Sequence, residues 1–276
     1  MKKSVIFVLI ALLLFSCKGT KNGVEKRVVT VTAEPFRYFT ERIAGDRFSV
    51  NTMVPSGSSP ETYEPSAQQM ADLAKSDLYI KVGSIGFERT WIKKLEANAP
   101  HAIFVDASEG IVPEASADGI EDPHTWMSAA NAVVISKNIY RSLASIDSRD
   151  SLYFKQNLES LLADIANVDN EVRRILKNKK TKAFLIYHPI LTYFARDYGL
   201  TQIPLEQEGR EPSAAQLKNV ITEAKGKKVG TLFVQKEFGN RNVDVIAKSV
   251  GAKKVRINPL GYDWPKEMVD IANKLE

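Results

Sequence analysis

Cysteine is nearly absent from this chain: Cys17 is the one example in 276 residues. A single thiol excludes an internal disulfide, and with it the stapled scaffolds of small secreted domains. It also excludes zinc sites built from several thiolates. Histidine is almost as scarce, at His101, His124 and His188. A transition-metal site here must combine imidazole with oxygen donors. No HExxH helix occurs, so that metallohydrolase motif is missing. The formal net charge is +5, yet no basic tract interleaved with aromatics is present, and a nucleic-acid partner is not expected.

The N-terminus is distinctive. Met1-Lys2-Lys3 is followed by an apolar run from Val5 to Phe15. The run is too short for a bilayer span of about 20 residues and fits the h-region of a signal peptide over residues 1–16. Leu14-Phe15-Ser16-Cys17 resembles a bacterial lipobox, which makes Cys17 the expected lipidation site. Residues 17–26, polar and carrying two glycines, form the tether. The expected location is extracytoplasmic, on the cell envelope, held by the lipid.

From residue 27 onwards, β-branched runs alternate with helical periodicity. Strands are expected at 27–32, 48–54, 77–82 and 102–106, and again at 182–187, 201–205, 229–234 and 254–257. Helices are expected at 36–44, 66–76, 91–98, 131–145, 191–198, 213–225, 242–250 and 265–275. Such alternation implies βαβ units and mostly parallel sheets. Between the two series, Leu158, Leu161, Leu162, Ile165, Val168, Val172, Ile175 and Leu176 recur at three- and four-residue steps, with no Gly or Pro from Leu152 to Leu176. The fold class is α/β: two lobes, each a mostly parallel sheet flanked by helices, joined by one long helix. The expected boundaries are 27–148, 149–178 and 179–276.

Ligands of open parallel sheets sit beyond the carboxyl ends of the strands. Glu61 follows the second strand, behind the turn Pro55-Ser56-Gly57-Ser58-Ser59-Pro60. His124 lies in Glu121-Asp122-Pro123-His124-Thr125-Trp126-Met127, just ahead of a helix and beside a carboxylate. His188 ends the first strand of the second lobe. Gln235 and Asn258 end later strands, and Asp263 follows. Each has an ordinary alternative as a solvated or hydrogen-bonded residue. Jointly, facing lobes would bring them to one cleft as two imidazoles, a carboxylate and one further oxygen donor, a plausible transition-metal site. The metal set is Glu61, His124 and His188, with Gln235 as fourth donor and Asn258 or Asp263 as substitutes for it. His101 precedes a strand and falls at the opposite end.

Several stretches carry a resemblance: Ile43-Ala44-Gly45-Asp46, the turn with Glu61-Thr62-Tyr63-Glu64-Pro65, Asp106-Ala107-Ser108-Glu109-Gly110-Ile111, Asp122-Pro123-His124-Thr125-Trp126, Tyr193 to Leu200, Glu211-Pro212-Ser213 and Asn258-Pro259-Leu260-Gly261. With them the chain resembles the zinc and manganese solute-binding lipoproteins of bacterial ABC importers over nearly its whole length after the signal segment. The resemblance implies two α/β lobes on a rigid linking helix, a divalent metal buried between them, and a permease as recipient. His124 and His188 match ligand positions of that family. Glu61 stands where the family commonly has histidine, and Asn258 stands near a common Asp or Glu. The segment from Ile111 to Glu121 lacks the His-rich loop of many zinc-specific members.

The expected function is a non-enzymatic, high-affinity receptor for a divalent transition metal, Zn2+ first and Mn2+ second, carried as transported ligand to an ABC importer. A monomer is expected. The alternatives are a zinc-dependent hydrolase on the same site or a surface adhesin.

Overall fold

The computed structural model describes residues 26–115, 121–206, 212–238 and 242–276. The expected signal segment and Cys17 lie outside the described residues.

The first lobe contains β1 (Arg27–Ala33), α1 (Glu34–Ala44), β2 (Phe48–Val54), α2 (Ala67–Leu73), β3 (Leu78–Lys81), α3 (Gly86–Asn98), β4 (Ile103–Asp106) and α4 (Ala129–Ile146). The second contains β5 (Ala183–Ile186), α6 (Thr192–Tyr198), β6 (Thr201–Pro204), α7 (Ala214–Gly226), β7 (Thr231–Gln235), α8 (Asn242–Val250), β8 (Lys253–Ile257) and α9 (Trp264–Lys274). Between them runs α5 (Ser151–Lys177), 27 residues and about 40 Å long.

Each lobe has one sheet of four parallel strands, in the orders β2-β1-β3-β4 and β6-β5-β7-β8. The two orders are equivalent, so the halves repeat one topology without repeating a sequence. Central strands of parallel sheets are covered on both faces and read as near-continuous apolar runs. In β1, Val29, Val31 and Ala33 are buried, and so are the intervening Thr30 and Thr32. Those hydroxyls are satisfied internally: Thr30 Oγ1 lies 2.7 Å from Ser76 Oγ, and Thr32 Oγ1 donates to Glu88 Oε1 at 2.5 Å.

The long helix turns one apolar stripe inward. Phe154, Leu158, Leu161, Ile165, Val168, Val172 and Leu176 are all buried. They belong to a core that also includes Phe36 and Phe39 of α1, Ile135 and Leu143 of α4, and Met268 and Ile271 of α9. Because α9 belongs to the second lobe in sequence but packs into this shared core, the lobes are joined by more than a hinge. Polar contacts tie the middle of α5 to both lobes: Arg42 Nη2 of α1 donates to Asp164 Oδ2 at 2.6 Å, and Tyr198 of α6 donates to Asp169 Oδ1 at 2.9 Å. At the end of α1, Gly45 has φ of +58°, and a Cβ there would fall 2.1 Å from the Tyr153 hydroxyl. Only glycine lets α1 dock this closely on α5.

Leu161→Ala removes a fully buried side chain from the middle of α5. A cost of about 2–5 kcal/mol is expected, from lost transfer energy plus the cavity left behind. Urea denaturation of the metal-free protein checks it. A loss below about 1 kcal/mol would mean that α5 is not part of the core.

Most expected helices and strands are present, with ends displaced by a few residues. The largest difference is α3, which begins at Gly86 rather than Trp91. Two glycines read as breakers, but the Glu88 side chain accepts from the Val82 and Gly83 N–H groups at 2.6 and 2.9 Å. That anchors the first turn of α3 to the end of β3.

Candidate metal centre

The chain places His124 by local means. Pro123 holds Asp122 extended, and Asp122 Oδ1 accepts from both the backbone N–H and Nδ1 of His124, each at 2.8 Å. The Tyr193 hydroxyl donates to the Asp122 carbonyl at 2.8 Å. Below, Trp126 Nε1 donates to the Pro259 carbonyl at 2.9 Å, and Trp264 Nε1 donates to the Trp126 carbonyl at 2.7 Å. The segment is thus stitched to the second lobe from both sides.

His188 is placed by neighbouring strands. It follows β5 by two residues, and β7 pairs with β5, aligning Ile186 with Phe233. Gln235, at the end of β7, reaches across: its Nε2 donates to the His188 carbonyl at 2.5 Å, and its Oε1 accepts from the His188 N–H at 3.4 Å. The imidazole stacks on Phe238, with ring centroids 5.4 Å apart, and its Nδ1 lies 3.1 Å from Glu206 Oε2.

The two imidazoles meet across the lobes, Nε2 to Nε2 at 3.4 Å. Each Nδ1 faces a buried carboxylate, Asp122 or Glu206. A carboxylate acts as acceptor to a ring N–H; with Nδ1 as that donor, each neutral ring turns its Nε2 lone pair into the same gap. Such a pair is relieved by a shared cation. Two nitrogens bound tetrahedrally to zinc at about 2.0–2.1 Å stand about 3.3–3.4 Å apart, which is the spacing found. Carboxylates behind ligating imidazoles fix tautomer and ring orientation in the same manner.

The gap opens into a cavity of about 20 Å³ lined by Ser59, Pro60, Glu61, His124, His188, Ile190, Gln235, Glu237, Phe238 and Leu260. This is room for a water or a bare ion.

The other expected donors have different placements. Glu61 lines the cavity, but its Oε2 rests 3.4 Å from Arg89 Nη2 at the rim. It lies directly over Gly86, where a Cβ would come within 2.0 Å of that oxygen. Gln235 is buried, with both ends of its amide engaged by the His188 peptide groups; it acts on the position of His188 rather than as a free donor. Asn258 and Asp263 do not line the cavity. The Asn258 N–H donates to Glu267 Oε1 at 2.7 Å, and Asp263 caps α9 by accepting from the Lys266 N–H at 3.2 Å. Both lie on the turn that leads β8 into α9: the side chain of Asp263 is engaged there, whereas Asn258 is held through its backbone, its carbonyl accepting from the Gly261 N–H at 2.8 Å, and its side-chain Oδ1 is buried without a hydrogen-bond partner among the described residues. His101 is exposed at the turn before β4. Among the described residues, no three His, Cys, Asp or Glu side chains converge to caging distance as they stand.

Two carboxylates escaped the strand-end rule. Glu206 follows β6 by two residues, and sheet order alone brings it to His188. Glu237 lies just past β7 and lines the cavity. Burial raises its carboxyl above the ordinary range, against the opposing pull of its own backbone N–H, Lys236 and His188. For Asp122, burial also pushes upwards, but the hydrogen bonds from the His124 ring, the Thr192 side chain and the His124 backbone N–H, joined by the His124 charge whenever that ring is protonated, outweigh it and hold the carboxyl below the ordinary value. The resulting stabilisation is present above the unfolded carboxylate pKa of about 3.9 and is lost as pH falls through the lower folded value.

Asp122→Asn keeps the size but can present its amide nitrogen to His124, favouring the wrong tautomer. Zinc affinity is expected to fall about 10–100-fold, read by competition with a chromogenic chelator. An unchanged affinity would mean that Asp122 does not orient the ring.

The family model described as zinc-uptake complex component A, periplasmic, matches residues 29–276. The high-affinity zinc uptake system protein ZnuA of Bacillus subtilis (strain 168) is 30% identical, over 94% of this chain and 89% of that protein. The manganese ABC transporter substrate-binding lipoprotein PsaA of Streptococcus pneumoniae is 28% identical, over 90% and 86%. A crystal structure of ZnuA superposes with a TM-score of 0.87 at 35% identity, covering 91% of this chain and 98% of that one.

Proposed function

The chain belongs to the zinc-uptake complex component A family, and from that premise we propose that it captures a zinc ion between its lobes and hands it to an ABC importer. The observation that carries the proposal is the His124–His188 pair, with Nε2 atoms 3.4 Å apart and a buried carboxylate behind each ring. In the proposed complex both imidazoles bind the ion. Glu61 adds a carboxylate from the first lobe by leaving Arg89, and Gln235 holds His188 in place. Lipidation of Cys17 would keep the protein, as a monomer, at the membrane that houses its permease.

Zinc ranks ahead of manganese because two imidazoles at tetrahedral spacing suit zinc, whereas manganese favours more oxygen donors. A relative named for manganese keeps that ion in the comparison. A hydrolase is disfavoured by space: the cavity of about 20 Å³ holds an ion, while pockets for organic substrates run to about 300–1,000 Å³. Nothing in the site calls for an adhesive role.

Anomalous scattering at the zinc edge tests the assignment. Crystals grown with zinc should give one strong peak bonded to Nε2 of both histidines. A peak elsewhere, or none, would overturn it.

A further inference from the structure

Two neutral imidazoles bring no charge to a divalent ion. The carboxylates behind them, Asp122 and Glu206, are turned to the Nδ1 side and occupied there. Glu61 stands at the rim on Arg89. One acidic side chain of the cavity wall is still unassigned. Glu237 lines the same space as His124 and His188, and its Oε1 is buried without a hydrogen-bond partner among the described residues. Leaving a carboxylate oxygen out of water and unpaired is energetically costly. Of the four buried side-chain atoms left unpartnered among the described residues, Glu237 Oε1 is the one that belongs to a residue lining the gap between the imidazoles, where a divalent cation would meet it.

We propose that Glu237 is the carboxylate ligand contributed by the second lobe, so that the ion is held by His124, His188 and Glu237. This rests on the zinc-receptor reading above. Sequence position explains how it gets there. Gln235 ends β7 and is consumed in clamping His188. The chain then turns, with the Phe238 N–H donating to the Gln235 carbonyl at 3.1 Å. Phe238 covers one face of the His188 ring, and Glu237, one residue earlier, faces the cavity. A short turn thereby supplies three functions in order: a clamp, a ligand and a lid for the imidazole. In the proposed complex the carboxylate stands at zinc–oxygen distance, about 2.0–2.2 Å. The set then carries one formal negative charge from the second lobe alone, independent of whether Glu61 swings inwards.

Glu237→Gln tests this, because it keeps the volume and removes the charge. Zinc affinity of the full-length protein, read by competition titration, should fall about 100-fold, on the order of one ligand's share of a protein zinc site. Affinity within threefold of the parent would overturn the role of Glu237. His188→Ala measured in parallel separates the two readings. If His188→Ala loses zinc while Glu237→Gln does not, the receptor stands and Glu237 is not a ligand. If the parent itself binds no zinc, the receptor reading fails first and takes this one with it. Should Glu237→Gln fold poorly, the zinc-bound crystal of the parent decides: a Glu237 oxygen within about 2.3 Å of the ion supports the assignment, and one beyond about 3 Å overturns it.

Discussion

His188→Ala is expected to weaken zinc binding about a hundredfold. Structural zinc sites in proteins contribute on the order of 12 kcal/mol in all. Divided over about four donors, one ligand accounts for roughly 3 kcal/mol, or about two decades in affinity. His188 has no substitute within reach, since the remaining histidine, His101, is exposed at the far end of the first sheet. Truncation also leaves Glu206, which is 7% exposed, without its ring partner. The metal-free variant should therefore lose a further 1–3 kcal/mol or so of folding stability from the unpaired acid. Isothermal titration gives the affinity, and thermal unfolding of the metal-free variant gives the second term. A variant that binds zinc as tightly as the parent would remove His188 from the site.

Zinc loading is expected to raise the melting temperature by about 10 °C. A ligand that binds only the folded state, at a free concentration 1,000 times its dissociation constant, stabilises by about 4 kcal/mol. Each kcal/mol is worth roughly 2–4 °C in a chain of this size. The ion is held by side chains from both lobes, and the core that includes α5 and α9 is continuous between them. The gain should therefore appear as an upward shift of one transition rather than of one lobe alone. The shift should shrink as pH is lowered, because imidazole and carboxylate must be deprotonated to bind. Magnesium at the same concentration should give little, since it keeps its waters and prefers oxygen cages. Calorimetry with and without a chelator reads all three. The absence of any shift with zinc would sink the proposed function.

Much of this was legible from the residues. Strand and helix identities followed from periodicity, and the helices expected to begin at Ser66 and Ser213 are capped by those serines, which form capping boxes with Gln69 and Gln216. The stripe from Leu158 to Leu176 announced α5, because a three-four repeat without glycine or proline has one stable solution. Asp122 was readable beside His124 because the pair is local. The start of α3 was placed too late, at Trp91: β3 does end before Gly86, but Gly86 also opens the helix, with Glu61, 25 residues earlier in the chain, lying where its Cβ would be.

The donor set divides along the same line. Histidine scarcity, the strand-end rule for His188 and the family resemblance together pointed to His124 and His188, and the structure brings their Nε2 atoms within 3.4 Å of each other. The oxygen donors were a different matter. Gln235 is the last residue of β7 and Glu237 lies two residues beyond it, both polar and both near the strand end. Their tasks separate only because β7 lies next to β5, so that the amide of Gln235 meets the His188 peptide groups while the Glu237 carboxylate is left over, facing the ion gap. Glu206 reaches His188 for the same reason, through the adjacency of β6 and β5. Strand order is set by the packing of the whole sheet, a property that no local stretch of residues contains.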